Sequence, residues 1–351
     1  MMIVIRDTAT AVSRARSALW VTLLIAGSAV GLASCDSESS PVDESLLLSW
    51  SPPETSREIY VSNVPQEQTI NLLDEIDYRL ILPNTPLTHR LIVRGGRDIV
   101  VIGGAFKLKG YSDLVTNKAA LSFQAGERSA DGRIVHIEGI YFDMSDARDR
   151  DALALADQNA IFHVQNVRFE NVNGDHLGLH PDAIENWGGA KEIRVSKATV
   201  ITDHQGFFIA PLQPSHTDPI EYVELREIDF RRNDGVYGSY PNHKCPIYVW
   251  FVGLQPEKCE TYTRGVRFKD VYATHAENCW DFGMNDVKPT TQETSGCAAV
   301  LDSSGTEMSW PTLPVEGSVK QGPPPGGEFV PFGAVGIGYK SPGYIKTQAK
   351  D

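Results

Sequence analysis

One phrase recurs along the chain and limits what it can fold into: two short stretches of alternating apolar and polar residues, hinged on a single corner residue. It reads DIVVIGGAF from Asp98, RIVHIEGIYF from Arg133, AIFHVQNVRF from Ala160 and EIRVSKATV from Glu192, and it returns from Ile220 and from Arg264. Alternation with period two places one set of side chains inward and the other outward, the signature of a strand buried on one side. Taking Ile99, Ile134, Phe162, Ile193, Val223 and Val266 as equivalent gives intervals of 35, 28, 31, 30 and 43 residues. That is solenoid spacing with loops inserted in particular turns. A β-sandwich has strands as short, but nothing in it requires the same double phrase to return. The expected fold is all-β, a right-handed single-stranded parallel β-helix with loop insertions.

A third strand fits before each double phrase, at 120–124, 152–156, 182–187, 206–210 and 246–251. Matching apolar positions turns Leu121, Phe123, Leu153, Leu155, Ile184, Phe207, Ile209, Ile247 and Val249 inward. Gln124, Glu185, Trp187, Phe208, Tyr248 and Trp250 then face outward as an aromatic and acidic stripe. The opposite register would reverse every facing. Residues 69–80 read as a helix capping one end, and 286–345 as irregular chain that covers the last coil or shapes one end of a groove. The 30 glycines and 21 prolines suit a fold with a turn at every corner.

The N-terminus carries a different message. Arg6, Arg14 and Arg16 precede an apolar run from Ala18 to Ala33, the layout of a secretory signal. The run ends in Leu32-Ala33-Ser34-Cys35, which resembles a bacterial lipoprotein signal. That resemblance implies cleavage before Cys35, a diacylglycerol on its thiol, and a membrane-anchored protein of the cell envelope, periplasmic or surface-exposed. The resulting division is a signal peptide at 1–34, the lipidated Cys35 with a flexible tether to 53, a β-helix domain at 54–345, and a tail at 346–351. In an oxidising compartment Cys245, Cys259, Cys279 and Cys297 are expected to form disulfides, with Cys245 to Cys259 and Cys279 to Cys297 the preferred pairs. A formal charge of −13 argues against nucleic acid as a partner.

Chemistry-bearing residues are densest between 175 and 205. Asp175, His176, His180, Asp182, Glu185 and Asn186 are followed by Asp203 and His204 at a distance of about one coil. His180, Asp182, Asp203 and His204 are the candidate catalytic groups. Trp187, Phe208, Tyr248 and Trp250 are candidates for stacking on sugar faces, with Glu185, Arg194, His243 and Lys244 as polar or charged contacts. The carboxylates of Asp182, Glu185 and Asp203 would suit calcium, a hard cation that takes oxygen ligands.

The repeated phrases over roughly residues 70–285 resemble the pectate-lyase-like superfamily of parallel β-helices. Many of its members process polysaccharides, and others are adhesins or structural modules. The 175–205 stretch is similar in layout to polygalacturonase-like glycosidases, with Asp182 and Asp203 at carboxylate positions. His180 stands where that family has asparagine, His204 replaces the second aspartate of its pair, and its later motifs are missing. The resemblance implies action on a polysaccharide, by elimination from a uronate-containing glycan or by hydrolysis. The alternative is a noncatalytic carbohydrate-binding or envelope-scaffolding protein.

Overall fold

The computed structural model describes residues 5–6, 47–109, 119–147, 150–174, 181–209, 219–233, 247–251, 265–274, 300–304, 306–309 and 315–345. Among them no residue is helical, and successive strands stack in parallel register as the coils of a β-helix. Each coil runs along a first face, turns a sharp corner onto a second face, crosses a loop and returns along a third. Strand Leu153–Val172 begins on the third face and continues through both others in one run.

The corner is set by backbone conformation. Asn166, Lys197, Glu227 and Asp270 have φ of 52°, 54°, 53° and 55°, and Gly139 has 70°. Pairings on either side of them put these residues in one column, since Gln165 pairs with Ser196, Ser196 with Arg226 and Arg226 with Lys269. The left-handed conformation turns the chain without an added loop, at roughly 1 to 2 kcal/mol for a residue with a side chain. The ladders on both sides offset it.

Inward positions of the three faces fill one continuous core. Phe106, Phe142 and Phe169 occupy equivalent positions on the second face and stack with ring centroids 5.2 and 4.9 Å apart. That spacing matches the distance between hydrogen-bonded strands, so strand pairing itself sets the ring stack.

The third face has the predicted register. Leu121 pairs with Leu153, Leu153 with Ile184, Ile184 with Phe207 and Phe207 with Val249, and all five are buried. On the first face the equivalence shifts at one position. Val135 rather than Ile134 lies between Ile99 and Phe162. Ile134 is only half-buried and gives its amide to Asp98 Oδ1 at 2.7 Å.

The expected helix at 69–80 is not formed. Gln68–Asn71 and Tyr78–Ile81 are strands of the first two coils, pairing with Leu91–Arg94 and with Ile99 to Val101. Their own alternation explains this, since Gln68, Ile70, Tyr78 and Leu80 are buried while Thr69, Asn71 and Arg79 are exposed. Ile5–Arg6 pair antiparallel with Glu58 and Ile59 beside the first coil.

The C-terminal stretch does two things. Strands Val315–Glu316 and Val319–Gln321 add to Val266–Thr274, continuing the first and second faces. Beyond them, residues 328–345 run back across the coils as a strap. Glu328 receives hydrogen bonds from Arg168 and Arg231 at 2.7 and 2.8 Å. Gly336 exchanges backbone bonds with Gly104 and Gly139 at the corner. Tyr339 lies so close over Gly139 that a Cβ there would come within 2.0 Å of its ring. Tyr344 then bridges to Leu48, so segment 47–50 joins the strap on the first face.

Candidate functional site

The third face is the one that the strap leaves uncovered. Its outward column runs Ile92, Ser122, Ala154, Glu185, Phe208 and the position of Trp250, as the strand pairings require. Small residues sit in the middle of this column and aromatic ones at its end, so the surface drops into a cavity of about 430 Å³. Ser122, Ala154 and Ala156 line its floor, and Arg90, Asp182, Glu185, Trp187 and Phe208 its sides. Gly188 lets the chain lie flat there, since a Cβ would meet the Ala156 Cβ at 2.3 Å.

Trp187 and Phe208 form a tilted pair with ring centroids 5.6 Å apart. Trp187 is 52% exposed although aromatic rings of this size normally seek burial. A rigid ring held open beside polar groups is what stacking on a sugar face requires.

The polar side of the cavity is a group of carboxyls. Asp151 and Asp182 occupy the same position in consecutive coils, each two residues before an inward strand residue, Leu153 and Ile184. The Asp182 amide donates to Asp151 Oδ1 at 2.9 Å. Both side chains are buried, and Asp182 Oδ1 has no hydrogen-bond partner among the described residues. Burial, followed by the negative charge of Glu185, raises Asp151 well above the usual carboxylate range. Burial and then the charges of Asp151 and Glu185 do the same to Asp182. Burial also raises Glu185, against the opposing effects of Asp151 and Arg90. Neighbouring carboxyls in a poorly solvated site cannot all ionise, so the group retains protons at a pH where free carboxyls have lost them. Glu185 is the half-buried member, placed to meet a ligand. Arg90 lies nearby, ion-paired to Glu67 at 3.7 Å, with its buried Nε lacking a partner among the described residues.

The other expected site residues have different settings. Asp203 and His204 lie at the turn between the second and third faces. Asp203 Oδ1 accepts the Gly174 amide at 2.9 Å, and the His204 ring packs where a Cβ on Gly174 would be. Neither lines the cavity. Arg194 projects from the first face, ion-paired to Glu192 at 2.5 Å and set over the Tyr222 ring. Tyr248 and Trp250 hold register positions in Ile247–Phe251, with Trp250 beside Phe208. His180, His243, Lys244, Cys35 and the other four cysteines lie outside the described residues. Among the described residues no group of three His, Cys, Asp or Glu side chains is arranged to hold a metal ion, so the geometry supplies no calcium site from Asp182, Glu185 and Asp203.

Arg90, in the cavity wall, and Asp151, buried behind it against Asp182, are the charged residues of the site that the sequence reading missed. A signal for Asp151 was present, because Asp151-Ala152-Leu153 and Asp182-Ala183-Ile184 are one phrase repeated in consecutive coils. No protein-family model, no curated protein and no solved structure matches the chain.

Proposed function

We propose that the protein is an exported, lipid-anchored, polysaccharide-active member of the pectate-lyase-like superfamily, and that the third-face cavity is where it binds and cleaves glycan. The observation that carries this reading is a proton-retaining carboxyl group, Asp151, Asp182 and Glu185, beside the open ring of Trp187. Trp187 and Phe208 supply a stacking surface, and Glu185 meets the bond to be broken.

This carboxyl group favours hydrolysis over elimination. A carboxyl that stays protonated serves as general acid, with its pKa raised toward the working pH. In the proposed step the glycosidic oxygen takes a proton from Glu185 as its bond to the anomeric carbon breaks. That carbon takes the oxygen of water, and the proton released by the water returns to the carboxyl group, so the site ends as it began. Asp151 acts through Glu185 as a positioning residue that keeps the proton available.

The test is to incubate the purified chain and its Glu185→Gln variant with a panel of neutral and acidic polysaccharides, with products read by mass spectrometry. The expected result is fragments that have gained water, reduced at least about 100-fold in the variant. Fragments lighter by one water at their nonreducing ends would replace hydrolysis with elimination. Binding without any product would replace both with a noncatalytic carbohydrate-binding role.

A further inference from the structure

The cavity wall contains an acceptor that the fold does not use. Asp182 lines the cavity with 2% of its surface exposed, and its buried Oδ1 has no hydrogen-bond partner among the described residues. The charges that act on Asp182 are those of Asp151 and Glu185, both negative. The cations nearby are engaged elsewhere. Arg90 pairs with Glu67 at 3.7 Å, Arg94 donates to Gln124 Oε1 at 2.8 Å, and Arg150 acts on Asp151. Asp182 is thus a buried carboxyl that keeps its proton for want of a cation.

We infer that the cavity is selective for an amine-bearing sugar, whose ammonium pairs with Asp182 while its ring stacks on Trp187. This rests on the reading of the cavity as a glycan site and narrows it to glycans with free amino groups. An ammonium offers hydrogen-bond donors and a positive charge, the two things that Asp182 lacks. Trp187, 52% exposed, and Phe208 add aromatic faces, which attract a cation as well as the apolar side of a sugar. Among the described residues no three carboxyls are arranged for a metal ion, but an ammonium imposes no such coordination geometry. A formal charge of −13 also draws a polycationic glycan toward the protein and repels a polyuronate. The pairing leaves the proposed cleavage intact. Asp182 gives its proton to solvent, and the carboxylate and ammonium that remain are neutral together, as the protonated carboxyl was before. Glu185 therefore meets no new net charge and retains the proton that it donates to the glycosidic oxygen.

The test is titration calorimetry of the full chain at about pH 6, where a sugar amine is protonated, with the tetramers of glucosamine, N-acetylglucosamine and galacturonate in two buffers of different ionisation enthalpy. The glucosamine tetramer is expected to bind about 30-fold more tightly than the acetylated one, with release of about one proton per complex. Asp182→Asn is expected to bring the two affinities together and abolish the release, and its binding of the acetylated tetramer checks that the cavity is still formed. Because acetylation removes the ammonium without touching the protein, the wild-type comparison decides the matter even where that variant fails to fold. Equal affinity for the two tetramers in wild type, or tighter binding of galacturonate, would overturn the inference and leave the glycan site standing. Binding of none of the three would overturn it too, while products from the polysaccharide panel would still uphold the glycan site. Amine preference with proton release but without cleavage would keep the inference and replace the hydrolase with a binding protein.

Discussion

Glu138 and Asp182 are both almost completely buried acidic side chains, and the fold treats them in opposite ways. Beneath the strap, Glu138 accepts hydrogen bonds from His136, Tyr339 and Tyr344. Close by, Gln165 bonds to segment 49–50 through both ends of its amide, and Trp50 stacks on His163 at 5.2 Å. Burial, followed by the charge of His136, pushes His163 down to about 3, so it stays neutral and packs as a flat apolar ring. On the third face Asp182 Oδ1 has no such partner among the described residues, and the nearby Arg90 pairs with Glu67 at 3.7 Å rather than with Asp151, Asp182 or Glu185. Paired buried charge here is mortar between strap and coils. Buried carboxyls that keep their protons and leave an oxygen without a partner are kept at a cost to stability, which is why the cavity rather than the strap-covered side is assigned the chemistry.

The sharpest test of this contrast is Glu138→Ala. It strips one buried and two half-buried donors of their acceptor and is expected to destabilise the protein by about 3 kcal/mol, measured by urea unfolding. A loss below about 1 kcal/mol would mean that the strap is not held through Glu138.

Ala154→Trp should act on the other face alone. Filling the floor of the cavity is expected to weaken glycan binding about 100-fold in calorimetric titration, with the unfolding midpoint little changed. Unaltered affinity would move the binding site elsewhere. Trp187→Ala removes only the stacking ring and is expected to cost about tenfold in affinity.

The smallest expected effect separates the two carboxylates by pH. Burial raises Glu138, but the hydrogen bonds from His136, Tyr344, Ser341 and Tyr339 outweigh it and hold the group below its ordinary pKa. Its contribution to stability is therefore full above the unfolded value and is lost as pH falls through the lowered one. Asp182 has the opposite sign. With its pKa raised, the folded state holds a proton that the unfolded chain has released, so stability falls as pH rises from the ordinary aspartate range through the raised value. Asp182→Asn should flatten that decline and leave stability at neutral pH within about 1 kcal/mol of wild type, or above it. A decline as steep as in wild type would show that Asp182 is not the group responsible.

Alternation was enough to place the third-face strands and their facing, because Leu121, Leu153 and Ile184 have polar or small neighbours on both sides. It slipped at Ile134 and Val135, where two apolar residues stand together and only Asp98, a coil away, decides which turns inward. It failed at 69–80, where Leu72, Leu73 and Ile76 suggest a helical stripe but pairing with the next coil wins. The strap was illegible for another reason. His136 and Glu138 look like solvent-facing residues of an alternating strand, and nothing in their own segment announces that chain from about 200 residues downstream will cover them. Asp182, Glu185, Trp187 and Phe208 were found because chemistry and facing coincide there, whereas Asp151 required the recognition of one short repeated phrase.

A bare stack of coils is nearly one-dimensional: each rung touches only its neighbours, so an end can fray without the middle responding. The strap changes that connectivity. By fastening Arg231 and Arg168 through Glu328, and then reaching back to Gly104 and Leu48, it makes rungs several layers apart depend on one another. Opening any part of the tied region means releasing the strap first, which turns progressive unzipping into a single cooperative event. The same long-range closure must form during folding, and contacts so distant in sequence make it slow. The chain is therefore built to fold late and, once closed, to unfold as a unit.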